Sequence, residues 1–231
     1  MTQGDAVKVT LPEQKIPGKR LGRHIHHDAR SRDFPAERAS RISSVRHNAT
    51  GLPLDQEVHT CCTAHALCAA LDSNPNFTGD TPLTSVNAIR IYERATRLEG
   101  KPASAETETG SSGLMACKAA QQLGLIGSYR HAFGVEHALR ALTLRPVMTG
   151  FSWYTSFDEP DRETGLVEIS EDATVRGGHE VLAYAIDTDV ERVWFWNSWG
   201  TEYGVNGRFC MSFDTWHHLL DQRGDVTVPL G

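Results

Sequence analysis

The 231-residue sequence has no apolar run near the roughly 20 residues that a membrane-spanning helix needs. Its first fifteen residues contain no apolar core of a secretory leader. Cysteine is sparse and odd in number: Cys61, Cys62, Cys68, Cys117 and Cys210. An odd set without a leader argues against a disulfide framework and for a reducing compartment. The expected location is therefore cytoplasmic, with unconventional export, or a processed form whose leader was removed, left open. Excess positive charge is also missing. The 23 Lys and Arg face 29 Asp and Glu, a net charge of -6, which argues against a general nucleic-acid binder. No internal repeat is evident. What is present, 39% hydrophobic and 23% charged residues, describes a globular chain long enough for one large domain or two small lobes.

Residues 1–45 differ from the rest. They are polar, basic and broken by Pro and Gly, and read as an N-terminal arm, partly ordered. The His24, His26, His27 cluster lacks a Cys or carboxylate at metal-ligand spacing, so a solvated basic loop is expected and no metal. Beyond the arm, propensity and stop signals predict helices over 62–71, 84–99, 112–123 and 135–142. On the second, Val86, Ile89, Tyr92 and Ala95 recur as one face. β-branched and aromatic segments over 147–154, 178–186, 192–196 and 208–213, parted by turn residues, predict antiparallel strands. Helices first and strands second mean an α+β protein, with a lobe boundary near 127–146.

Cys62 stands where the polar stretch 55–60 gives way to a helical run, so it falls in the first helical turn. Unpaired N–H groups there lower a thiol pKa, which acyl transfer by cysteine requires. Taken alone, the position fits an ordinary buried thiol equally well, and placement does not choose between Cys62 and the adjacent Cys61. Cys68, Cys117 and Cys210 read as packing. His179 opens a strand after Gly177 and Gly178, from which it can reach a cleft between two lobes. The stretch 193–209, with Asn197-Ser198-Trp199-Gly200 at its centre, is the most specific in the chain.

Together these segments resemble the papain-like cysteine peptidases, peptidase family C1, in a pattern nearest its bacterial members. The resemblance covers about residues 46–214. Residues 55–67 are similar to the family's active-site segment, with Gln56 six positions before Cys62, and this match selects Cys62 as nucleophile over Cys61. Asn197-Ser198-Trp199-Gly200 matches the family's Asn-Ser-Trp-Gly segment. The resemblance implies His179 as base and Asn197 as the residue orienting it. It implies Trp199 shielding their hydrogen bond and Gln56 sharing the oxyanion with the backbone N–H of Cys62. It also implies a thiolate–imidazolium pair of Cys62 and His179, with Gly110, Ser111 and Gly178 along the substrate cleft. His179 lies 117 residues after Cys62, somewhat close for the family, and Asn197 lies 135 after it.

The implied fold is two-lobed, with a mainly helical lobe over 46–135 and a mainly β, barrel-like lobe over 136–231. The implied activity is hydrolysis of peptide bonds, with a peptide or protein as partner and neither nucleic acid nor membrane. No cofactor is required by the chemistry. A catalytically silent binding protein and an acyl or peptidyl transferase are the alternatives.

The pattern is broken in places. Glu57 and Thr60 stand where the family usually has Gly. His59 replaces a Cys that forms a disulfide in secreted relatives. Glu180 replaces a small apolar residue; pointing into the cleft, it would favour basic substrates and raise the pKa of His179. The arm is too short and too broken for the family's helical inhibitory propeptide; an extended cover over the cleft is left open.

Overall fold

The computed structural model describes residues 6–103 and 107–231. The arm contributes β1 (Val7–Thr10) and β2 (His24–His27), which pair antiparallel with each other, then a 3-10 turn over Ala29–Asp33. A two-residue strand, β3 (Val45–Arg46), follows.

Three helices come next: α1 (Cys62–Leu71), α2 (Ser85–Leu98) and α3 (Gly113–Gln122). Local chemistry sets the ends of α2 and α3. Thr84 and Asn87 form a reciprocal capping box on α2, and the Ser112 hydroxyl accepts the Met115 N–H to cap α3. Gly100 and Gly124 take left-handed conformations just past the ends of α2 and α3. The apolar face of α2 is Ala88, Ile91, Tyr92 and Ala95. Val86 is exposed and Ile89 only half-buried, which corrects the expected face. A strict spacing of three drifts by about 60° per step on a helix of 3.6 residues per turn, which carries Val86 and Ile89 off the face of Tyr92 and Ala95.

The remainder is built on a sheet: β4 (Ser128–Ala132), α4 (Gly134–Leu144), β5 (Val147–Tyr154), a 3-10 turn over Thr155–Asp158, β6 (Val175–Asp187), β7 (Arg192–Trp196), β8 (Arg208–Ser212), α5 (Phe213–Asp221) and β9 (Asp225–Leu230). The strand order is β4-β9-β5-β6-β7-β8, with β3 added on β6, and every pairing is antiparallel. β4, α5 and β9 were not expected from sequence.

Two cores result. One gathers Phe151, Trp153, Phe195, Phe209 and Trp216 with α4 and α5. The other packs Leu67, Ile91, Tyr92 and Met115 of the helices against Met148, Leu182 and Tyr184 of the sheet. β6 divides them by its period of two: Val181 and Ala183 face the first core, Leu182 and Tyr184 the second. His179 and Glu180 continue that alternation, so neighbouring residues serve opposite sides of one strand. No helix among the described residues is long and apolar enough to cross a membrane.

Candidate active site

Cys61 is the N-cap of α1 and Cys62 its first residue, so Cys62 lies at the positive end of a ten-residue helix. The Cys61 thiol turns to His65 Nδ1 (3.4 Å), inside the helical core. The Cys62 thiol is instead close enough to the backbone of Glu180, the residue after His179, for that N–H to draw its pKa down against the larger effect of burial. His179 Nε2 donates to Asn197 Oδ1 at 2.7 Å. That oxygen also accepts the Ser198 N–H at 2.7 Å, which identifies it as the acceptor and fixes the tautomer. The other ring nitrogen, Nδ1, is buried without a hydrogen-bond partner. Trp199 lies against the imidazole with ring centroids 4.9 Å apart, and Trp153 meets it edge-on at 4.7 Å. Trp153 was not expected at the site. Its signal was present in sequence as an aromatic two residues from Phe151, on the face of β5 that packs beside His179.

Gln56 is buried, its Oε1 accepting the Ser198 hydroxyl at 2.6 Å. Its amide Nε2 donates to the carbonyl of Arg20 at 3.0 Å and to that of His59 at 2.7 Å. Arg20 belongs to the arm, and its carbonyl also accepts Trp199 Nε1–H at 3.1 Å. The arm thus runs through the cleft. Gly22 N–H and Arg23 N–H donate to the Gly178 carbonyl (3.1 and 2.9 Å), Ser111 N–H donates to the Gly22 carbonyl (2.8 Å), and His24 N–H donates to the Ser111 carbonyl (2.7 Å). Gly110, Ser111 and Gly178 therefore all border the arm. A Cβ on Gly178 would strike the Arg23 carbonyl, one on Gly110 the Gly22 carbonyl, and one on Gly22 the Thr60 carbonyl. Further back, Arg176 holds the arm through the carbonyls of Gln14 (2.7 Å) and Lys19 (2.6 Å) while pairing with Asp158 (3.1 Å).

This cover explains the electrostatics. Cys62 and His179 have no exposed surface. Burial pushes the Cys62 thiol up to about 12 and holds His179 down to about 3. With the arm in place, burial disfavours the charged form of each group. Glu180 does not raise His179, because its carboxylate leaves the opposite face of β6.

The segment before Cys62 is tied down differently from the family pattern. Glu57 takes a left-handed backbone, φ 50°, at a position where the family usually has Gly. His59 pairs with Glu108 (2.8 Å) where secreted relatives carry a disulfide cysteine. Glu108 also accepts the Thr60 N–H and hydroxyl, each at 2.7 Å, and the Thr60 hydroxyl accepts the Gly110 N–H at 3.1 Å. Burial pushes the Glu108 carboxyl up, but the bonds from His59 and Thr60 outweigh it and hold it below its ordinary value. Replacing Glu108 with alanine leaves the Thr60 N–H unpaired and its hydroxyl with Tyr92 alone. The expected loss is about 2 kcal/mol in chemical denaturation, and a change under about 0.5 kcal/mol would contradict this role.

Acid should destabilise the whole molecule. Burial holds His26 and His65 down to about 4 and His179 to about 3, and lowers His47, His131 and His137 as well. Each takes up a proton when unfolded near pH 6.5 but not when folded, so its stability contribution is lost as pH falls below 6.5. Asp72, raised to about 6 by burial, and the raised Asp158 and Glu180 act in the opposite sense. Six histidines against three carboxyls leave a net loss. The deeply buried His65 and His179 contribute about 1.4 kcal/mol each per pH unit. The thermal midpoint is expected to drop between pH 7 and 4.5; a flat or rising midpoint would refute the balance.

A cleft between a helical core and an antiparallel sheet, with cysteine at a helix start and histidine on the facing strand, defines the papain-like fold, and the chain has it. It superposes on xylellain, a cysteine protease from Xylella fastidiosa, with a TM-score of 0.70, 95% of this chain and 98% of that one covered, and 19% identity. It also superposes on digestive procathepsin L2 from Tenebrio molitor larval midgut, with a TM-score of 0.65, 93% and 79% coverage, and 13% identity. In sequence, 82 residues are 34% identical to an uncharacterized peptidase C1-like protein, L477, of Acanthamoeba polyphaga mimivirus, a match spanning 34% of this chain and 26% of that relative. No known family model matches the sequence.

Proposed function

We propose that the chain is a cysteine-type peptidase that hydrolyses peptide bonds, described here in a latent state with its own arm in the cleft. The observation that carries this reading is the arm itself. An extended polypeptide lies across the cleft on main-chain bonds to Ser111 and Gly178, with one of its carbonyls held by Gln56. A cleft that holds an extended chain by its backbone suits a peptide substrate.

Once the arm is displaced, water reaches Cys62 and His179 and the pair can exchange its proton. The thiolate attacks the substrate carbonyl carbon. The carbonyl oxygen takes the negative charge and is held by the Gln56 amide and the Cys62 N–H. As the carbon–nitrogen bond breaks, the His179 imidazolium gives its proton to the leaving amine, and a thioester remains on Cys62. His179 then takes a proton from water, whose oxygen displaces the thiolate and releases the acid. Asn197 holds one ring nitrogen throughout so that the other faces the reaction.

The test uses the full chain carrying Gly22→Ala, whose arm cannot seat, with and without Cys62→Ala. Release of new amino termini from a peptide mixture, absent in the Cys62 variant, supports the reading. A Cys62 no more reactive than Cys68, with no cleavage, points to a silent binding scaffold. Products joined to an added amine in place of free acids point to a transferase.

A further inference from the structure

The peptidase reading leaves Arg23 unexplained. Its side chain is fully buried, and so is that of Glu180, whose Oε2 lies 3.9 Å from Arg23 Nε. On the other side, Arg23 Nη2 pairs with Asp225 and donates to the Arg223 carbonyl at 2.9 Å. Sheet register explains the arrangement. Gly150 of β5 stands opposite Glu180 of β6 and also opposite Asp225 of β9. Two carboxylates therefore flank a position with no side chain, and Arg23 lies over that gap. A Cβ on Gly150 would collide with Arg23 Nε and with Glu180 Oε2, and a Cβ on Gly113 would meet Glu180 Oε1 at 2.5 Å. The pocket has a floor of bare backbone and walls of opposite charge to its occupant.

The fit is also incomplete. Neither Glu180 oxygen has a hydrogen-bond donor, and Arg23 Nε and Nη1 lack acceptors. Burial and Asp225 push the Glu180 carboxyl up and Arg23 draws it down, so a cation in the pocket favours the charged carboxylate that an empty pocket does not. Its acceptors lie on two sides of the guanidinium, one facing Nε and the others Nη2. A planar fork spans them, and a single ammonium does not.

We infer that the Glu180–Gly150–Asp225 pocket is a guanidinium-selecting subsite, and that the peptides taken by this cleft carry arginine at the position that replaces Arg23. The inference rests on the peptidase reading for its substrate and on the arm geometry for its pocket. Arg23 holds the arm in place by the same contacts that a substrate arginine makes once the arm has left.

The experiment uses the full chain with Gly22→Ala and Arg23→Ala, which unseats the arm and vacates the pocket, and peptide mixtures in which each residue on the acyl side of the cleaved bond is varied in turn. One position should favour arginine over leucine by at least tenfold, and over lysine by a smaller factor. That ratio should fall at least fivefold in Glu180→Gln or, should that variant not fold, in Asp225→Asn. Cleavage with no position favouring arginine, or a preference indifferent to both substitutions, overturns the inference and leaves the peptidase reading standing. If nothing is cleaved, the peptidase reading fails and the pocket is judged by binding. A synthetic peptide of residues 16–28, with arginine or neutral citrulline at position 23, is titrated into the Gly22→Ala, Arg23→Ala, Cys62→Ala chain, whose own arm cannot seat. Binding at least tenfold tighter with arginine supports the pocket, and equal binding overturns it.

Discussion

Gly22→Ala should make Cys62 reactive. In the parent chain the thiol is buried beneath the arm and pushed up to about 12. Its alkylation by an epoxysuccinyl peptide should be slow at pH 7 and climb about tenfold per pH unit through pH 10 without a plateau, as expected of a group still far from its pKa. A Cβ on Gly22 collides with the Thr60 carbonyl. Thr60 cannot retreat, because its N–H and hydroxyl are held by Glu108 and its hydroxyl by Tyr92 (2.9 Å). Gly22 cannot retreat either without losing its bonds to Gly178 and Ser111. The arm should leave the cleft. A thiol that returns even to the ordinary value of about 8.5 gains roughly a thousandfold in thiolate at neutral pH. Intact mass should show one added group, on Cys62 and not on Cys61 or Cys68. An alkylation rate unchanged by the substitution would mean that something other than the arm covers the thiol.

His179→Ala, placed in the Gly22→Ala chain, should cost about 10^4-fold in peptide turnover, the upper end for loss of a general acid–base group. The same variant should return the alkylation profile to that of an isolated thiol, rising near pH 8.5. The second readout matters because His179 packs against both Trp153 and Trp199, and its removal leaves a cavity that a merely structural role would also register. A structural defect lowers the thermal midpoint but does not move the pH at which Cys62 reacts. Turnover within tenfold of the parent would remove His179 from the chemistry.

Much of the fold was legible in sequence because its signals are local. The periodicity and stop residues of the helices at Cys62–Leu71 and Gly113–Gln122, and the aromatic runs at Val147–Tyr154 and Arg192–Trp196, place those elements to within a residue or two. The last strand and the helix before it were missed. They fall mostly beyond the stretch resembling a known family, and Asp214 and the two histidines of Phe213–Asp221 mask a short amphipathic face. At the site, it was the family resemblance that implied a pairing of His179 with Asn197, and in the structure they lie 2.7 Å apart. The arm's route could not be read, since it is held largely through backbone groups at Gly22, Ser111 and Gly178. Main-chain hydrogen bonds leave little residue-type signal. Asp225 escaped for a different reason: it meets Glu180 only through register across Gly150, and register is invisible until strands are paired.

The arm and the cleft are one chain. Ala36 N–H is held by the His131 carbonyl, Arg140 binds the carbonyls of Ala39 and Ser40, and β3 joins the sheet, so the base of the arm is moored near the site it fills. The local concentration of such a ligand does not fall on dilution. The latent fraction is therefore set by a one-molecule equilibrium, the same at nanomolar and micromolar protein. Every substrate's apparent affinity is weakened by the fraction of time the cleft stands open.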